Sequence, residues 1–279
     1  LFSFSASKSA HIQVVHSFLI NYSLNKIKSH IVSWLNAYCD RSGMSGFVVG
    51  VSGGIDSSVT SILCAETDKR VVLLNMPIRQ RSSEFLLAKK HIEDLRDRYS
   101  NVESHELELT DVFESFEKSM PFPLDSNQLS MANSRARLRM MTLYAVGQAH
   151  GLLVAGTGNK IEDFGIGFYT KYGDGGVDLS PIADLTKSEV FSLAATLNVI
   201  EEIQQAAPTD GLWGDGRKDE DQIGASYAEL EWAMDYSDER SGLTNRQIEV
   251  LDIYNRLHKI NQHKMLPIPV CKIPENLKN

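Results

Sequence analysis

Apolar residues first recur at helical spacing, at Ile27, Ile31, Leu35 and Tyr38, which predicts an amphipathic helix over about 24–38. The pattern then switches. Phe47-Val48-Val49-Gly50-Val51 is a short apolar run ending in a glycine-rich turn, and behind it Asp56-Ser57 opens a stretch with Val59, Ile62 and Leu63 on one helical side. Val71-Val72-Leu73-Leu74 reads as a buried strand, about 83–98 as a charged helix, about 102–109 as a mixed strand, about 128–150 as a long helix and 151–156 as another buried strand. On the long helix Leu138, Met141, Thr142 and Ala145 form the expected core side, Arg135 and Arg139 share a face, and Arg137 points elsewhere. Strands alternating with helices specify an α/β fold, a parallel sheet with helices on both faces, whose ligands bind outside the carboxyl ends of the strands.

A stretch rich in Gly and Asp follows Gly156, a helix starts near Thr186, a second polar stretch runs over 208–224, and helices fill the remainder to about 265. With no repeat or linker in the sequence, 24–279 reads as one domain and 1–23 as an extension of unknown role. The apolar run within that extension, residues 16–20, is too short to span a bilayer and lacks the charged start and cleavage site of a secretory signal.

At 279 residues and 42% hydrophobic, the chain has material for one large core, and a formal charge of −8 argues against nucleic acid or an acidic membrane as partner. A small molecule is the expected partner. Cys39, Cys64 and Cys271 are too few and too scattered for a disulfide framework or a metal knuckle, which fits a cytoplasmic setting; Cys64, in an apolar helix, reads as a buried thiol.

The chemistry concentrates after the first strand. Gly53 and Gly54 let backbone N–H groups approach an anion, Ser52 and Ser57 add hydroxyls, and the following helix presents its N-terminus. Asp56 among these donors would repel pyrophosphate unless it holds Mg²⁺. Without a Lys before its Ser, the loop is not a Walker loop. Glu162, in the strand-end segment 156–163 with Thr157, is a candidate second carboxylate on the metal. Thr186-Lys187-Ser188-Glu189 is a capping box that puts Lys187 in a first helical turn, where a cation is unfavourable unless it meets an anion.

Ser52-Gly53-Gly54-Ile55-Asp56-Ser57 resembles the SGGxDS loop of the ATP pyrophosphatase superfamily, whose members cleave ATP to AMP and pyrophosphate while activating a carboxyl or carbonyl group as its adenylate. GMP synthetase, asparagine synthetase, argininosuccinate synthetase and tRNA-modifying ligases share that loop, so it gives a chemistry and not a substrate. Further segments are similar to the NAD synthetase family. They are ARxRM at 136–140, a GT…E element at 156–162 with Gly158-Asn159-Lys160 in place of Asp-His-Ala, FxTKYGDGGxD at 168–178, the LTK lysine Lys187, Pro208-Thr209, and the terminal pair His263-Lys264. Residues 75–81 match the family's adenine-pocket segment poorly, and its Arg and Gln are not carried over.

The resemblance implies a Rossmann-like adenine nucleotide alpha hydrolase fold. ATP, the co-substrate, would lie on Gly50, Val51, Ser52, Gly53, Gly54, Ile55, Asp56, Ser57, Thr157, Lys187 and Thr209; deamido-NAD on Arg137, Lys171, Asp178, His263 and Lys264; and Mg²⁺ on Asp56 and Glu162. Asp56 and Lys187 would stabilise charge, with no covalent nucleophile. The implied reaction is amidation of deamido-NAD by ammonia through an NAD-adenylate, in a homodimer that binds the dinucleotide across its interface. The residues before Leu24 leave no room for a glutaminase or nitrilase-like domain, so free ammonia is the expected donor. The rivals are another adenylating ligase, such as a GMP synthetase or tRNA thiolation enzyme, and a regulatory module that binds ATP without turning it over. The segment Lys171 to Asp178 opposes the first, and Asp56, Glu162 and Lys187 oppose the second.

Overall fold

The computed structural model describes the backbone of residues 3–209 and 218–278, with side chains from residue 23 onward within those spans. Much of the second polar stretch, including Trp213, lies outside the described residues. In chain order the elements are α1 (Ser3–Ser42), β1 (Gly46–Gly50), α2 (Ile55–Ala65), β2 (Arg70–Asn75), α3 (Ser82–Arg98), β3 (Val102–Glu106), α4 (Thr110–Lys118), α5 (Gln128–His150) and β4 (Leu152–Val154). After these come α6 (Lys187–Thr196), α7 (Glu201–Gln205), α8 (Asp219–Ile223), α9 (Tyr227–Asp235) and α10 (Asn245–Met265). The first helix runs unbroken across the expected boundary at residue 24. Among the described residues no helix is long and apolar enough to cross a membrane.

The four strands are parallel in the order β3-β2-β1-β4, with Val48 opposite Val72 on one side and Val154 on the other. Successive strand residues point to opposite faces. Phe47 and Val49 accordingly enter a core with Leu35, Val59, Ile62, Leu63, Val190 and Leu193 from α1, α2 and α6, while Val48, Val72, Leu74 and Val154 pack on Met140 and Leu143 of α5. Helices thus cover both faces. The chain lays β2 and β3 on one side of β1 and returns to place β4 on the other. The carboxyl ends of β1 and β4 therefore flank the reversal point, where a sheet of this kind opens a ligand crevice.

Two expectations are corrected. The core face of α5 is Ala136, Met140, Leu143 and Gly147, whereas Met141 is 62% exposed and Ala145 is exposed too. Gly147 lets the helix lie close on the sheet, where a Cβ would already press on Val48 and on the Leu152 carbonyl at 3.1 Å. The third strand ends at Glu106, and its expected continuation gives way to α4, a charged helix that buries Phe113 against Ile78 and Met131.

A separate apolar cluster joins Ile161 and Ile166 of a π-helical turn (Ile161–Ile166) to Tyr227 and Leu230 of α9 and Val250 and Tyr254 of α10. Such turns are rare and recur at functional sites. Here the turn carries Glu162 to the crevice.

Candidate active site

A cleft of about 300 Å³ lies at that reversal point, lined by all of Gly50–Ser57 together with Thr157, Glu162, Lys187 and Thr209. Its floor is the loop between β1 and α2. Gly53 has φ +87, and a Cβ there would stand 2.6 Å from the Glu84 carbonyl oxygen and 3.0 Å from the Ala88 nitrogen, so the loop closes on the α3 backbone only with glycine. The hydroxyls brace the loop. Ser57 Oγ donates to the Gly54 carbonyl (3.0 Å) and Ser52 Oγ accepts from the Gly54 N–H (3.2 Å). Gly53→Ala should destabilise the protein by about 1–2 kcal/mol and raise the KM for ATP about tenfold, because α3 and the loop must part. Thermal unfolding and ATP kinetics check this, and an unchanged KM would refute it.

Lys187 is the electrostatic centre. It is 3% exposed, and its Nζ donates to Asp56 Oδ2 at 2.5 Å and Glu162 Oε1 at 3.0 Å. Burial disfavours the ammonium, but the two carboxylates more than offset it and hold the Lys187 pKa above its usual value. Burial pushes the Asp56 carboxyl up while Lys187 pulls it down. Asn159 Nδ2 donates to Asp56 Oδ1 (3.1 Å), Tyr227 donates its hydroxyl to Glu162 Oε1 (2.6 Å), and the Tyr227 ring lies 4.8 Å below the ammonium. The capping box of α6 fixes the backbone of this lysine, since Thr186 accepts from Glu189 N–H and Glu189 from Thr186 N–H.

Asp56 and Glu162 thus converge on one cation. Among the described residues no group of three or more His, Cys, Asp or Glu side chains could hold a metal. Two hard carboxylates beside a phosphate loop do fit Mg²⁺, which characteristically takes one or two carboxylates and completes its shell with substrate phosphates and water.

The cleft holds further acids. The Asp163 carboxyl is pushed up to about 8 by burial and by neighbouring Glu162, and Asp174 up to about 6 by burial. A Cβ at Gly158 would sit 2.2 Å from both Asp163 carboxylate oxygens, so the glycine that departs from the family pattern makes room for this acid. Between pH 3.8, the ordinary value, and about 8 the folded protein keeps the Asp163 proton that the unfolded chain releases. Its contribution to stability is full below that window and is lost as pH rises through it. The melting temperature of the nucleotide-free protein should fall over this range, and Asp163→Asn should flatten the fall. An identical slope in both proteins would refute the assignment.

The residues expected to hold the dinucleotide lie apart from this cleft. Arg137 Nε donates to the Lys171 carbonyl (3.2 Å), Lys171 Nζ to the His263 carbonyl (2.6 Å), and Lys264 Nζ to the carbonyls of Gly167 and Tyr169 (both 2.8 Å). Those four form one group around the 167–175 segment. Asp178 is held by the Tyr144 hydroxyl (3.0 Å) and the Val154 N–H (2.8 Å), and it lines a second, open cleft with Trp34, Tyr38 and Phe164. Of the poorly matching 75–81 segment, Met76 and Gln80 reach the first cleft. Arg79, at φ +48, turns away to Glu114 and Glu117.

A family model described as NAD synthase matches residues 27–267. An NH(3)-dependent NAD(+) synthetase of Methanosarcina acetivorans is 34% identical over 256 residues, 89% of this chain and 98% of that one. Of solved structures, NMN synthetase from Francisella tularensis aligns with a TM-score of 0.77 at 31% identity, covering 90% of this chain and 98% of its own. An NH3-dependent NAD synthetase from Campylobacter jejuni aligns at 0.72 and 26% identity, covering 89% and 99%.

Proposed function

The chain belongs to the NAD synthase family, and from that premise we propose that its crevice forms NAD from deamido-NAD, ATP and ammonia through an acyl-adenylate. The observation that carries this reading is the convergence of Asp56, Glu162 and Lys187 beside the glycine loop, where a triphosphate and its counter-ion must be neutralised together. The loop N–H groups and the α2 N-terminus receive the phosphates, and Thr157 and Thr209 line the same cleft. Asp56 and Glu162 would hold Mg²⁺, which when bound neutralises charge on the departing pyrophosphate.

In the first step a carboxylate oxygen of deamido-NAD attacks the α-phosphorus, the bond to the bridging oxygen breaks, and pyrophosphate leaves with the electron pair. In the second the nitrogen of ammonia attacks the acyl carbon, AMP leaves, and one N–H proton passes to solvent. Lys187, freed from the acid pair, follows the phosphate charge. Arg137, Lys171, Asp178, His263 and Lys264 bind the dinucleotide. Alignment and charge do the work, and no enzyme nucleophile is used. Cys64, the thiol on α2, is fully buried with its pKa raised by that burial.

Relatives named as ammonia-dependent match this chain over 98 and 99% of their own lengths, which supports free ammonia as the donor. We place the enzyme in the cytoplasm, a setting suited to its free cysteines. We also read it as a homodimer formed along α5, whose Leu129 and Met141 stand 61% and 62% exposed. Light scattering should give twice the 31.1 kDa chain mass, and a monomer at working concentration would count against this.

The test supplies the purified chain with ATP, Mg²⁺, ammonium and deamido-NAD. NAD, AMP and pyrophosphate should appear in equal amounts, and folded protein that yields none would overturn the reading. Because one structural relative is titled an NMN synthetase, the deamidated mononucleotide is the acceptor to run beside it. A preference for that acceptor would replace the dinucleotide in this account.

A further inference from the structure

Among its described residues the nucleotide cleft is lined by six carboxylates, those of Asp56, Glu84, Glu162, Asp163, Asp174 and Asp219, and by two cations, Lys187 and Arg139. Lys187 is paired twice over. Arg139 is not: its Nε donates to the Met76 carbonyl (2.9 Å), and it forms no ion pair among the described residues. A guanidinium has five N–H donors in a planar fork suited to carboxylate and phosphate. Half-buried, with its Nε spent on Met76, Arg139 lines the cleft and makes no other hydrogen bond among the described residues. Burial and nearby Arg135 pull its pKa down to about 10, against the opposing pull of Glu84 and Asp174.

Its position along α5 indicates which anion it meets. One turn earlier, Ala136 packs on the dinucleotide segment, where a Cβ at Gly173 would be 2.9 Å from the Ala136 Cβ, and Arg137 touches Lys171. One turn later, Leu143 packs at the root of the phosphate loop, 3.4 Å from a Cβ at Gly50. Arg139 therefore stands between the surfaces assigned to the two substrates. We propose that its terminal guanidinium nitrogens hold the phosphate through which ATP and the acceptor carboxylate are joined, making Arg139 a catalytic residue of adenylation. This rests on the proposed reaction. Two anions must meet for that bond to form, and a rigid fork offsets the charge gathered on the α-phosphate as the acyl oxygen bonds to phosphorus and pyrophosphate departs with its electron pair. No proton moves in that step.

The test is exchange of labelled pyrophosphate into ATP, dependent on deamido-NAD and run without ammonia. Arg139→Ala should lower the exchange rate about 10²–10³-fold, the usual cost of removing a preorganised donor to developing charge. Guanidinium ion at tens of millimolar should restore at least about tenfold of it, which urea should not, and Arg139→Lys should lose at least about tenfold because a point charge replaces the fork. Rates within about threefold of wild type in Arg139→Ala, or a loss that guanidinium does not reverse and Arg139→Lys does not share, overturn the proposal. Should the alanine variant not fold, Arg139→Lys decides: a tenfold loss with unchanged thermal unfolding supports the role, and full rate refutes it. Wild-type protein without deamido-NAD-dependent exchange would instead refute the underlying reaction.

Discussion

Asp56→Asn should lower the rate of NAD formation by about 10³-fold, some 4 kcal/mol of transition-state stabilisation, while leaving the protein folded. Asparagine is nearly isosteric and keeps a carbonyl oxygen for the Asn159 amide, and Lys187 retains Glu162 as its partner. What is lost is the formal charge at the first turn of α2, on one of the carboxylates that line the cleft. A neutral amide is a poor magnesium ligand, so the leaving pyrophosphate would depart with its charge less well offset. Steady-state kinetics at saturating ATP measure the effect, and activity within tenfold of wild type would remove Asp56 from the metal site.

Lys187→Met should act on both stability and rate. Methionine fills much of the same buried volume but leaves Asp56 and Glu162 facing each other without the ammonium between them. Breaking a buried ion pair from one side costs about 3–5 kcal/mol, which in a chain of this size lowers the melting temperature by roughly 10 °C. Magnesium should recover part of that loss in the variant, because a divalent cation can take the place of the ammonium, and should do little to wild type. Turnover should fall at least about 10³-fold, since the phosphates would lose the lysine that lines the cleft among the described residues. Calorimetry with and without Mg²⁺ separates the two effects. An unchanged melting temperature in metal-free buffer would show that Lys187 does not hold the acid pair together.

Much of this site was legible because its parts are local. A continuous apolar run, two glycines and an acid are neighbours in the chain, so the strand, loop and helix around Asp56 could be read directly, and the Thr186 box marked the helix that carries Lys187. The facing of α5 was not legible. Its apolar residues lie all round, and the side that meets the sheet is the one that carries the small Gly147, not the larger Met141. The roles of Tyr227 and Asp163 depend on contacts the sequence does not display. The Tyr227 hydroxyl meets Glu162 across 65 residues, and Asp163 is perturbed by the depth to which a π-helical turn places it. Gly158 was the one local signal of that acid: a departure from the family pattern whose reason is steric.

In the proposed reaction this cleft joins the acceptor carboxylate to the α-phosphate of ATP. Deamido-NAD labelled with ¹⁸O in its carboxylate, turned over with ATP, Mg²⁺ and ammonia, tests it by mass spectrometry of the products. One ¹⁸O atom should be transferred to the phosphate of AMP per NAD formed, and none to pyrophosphate. Label in pyrophosphate, or AMP formed without label alongside NAD, would contradict it.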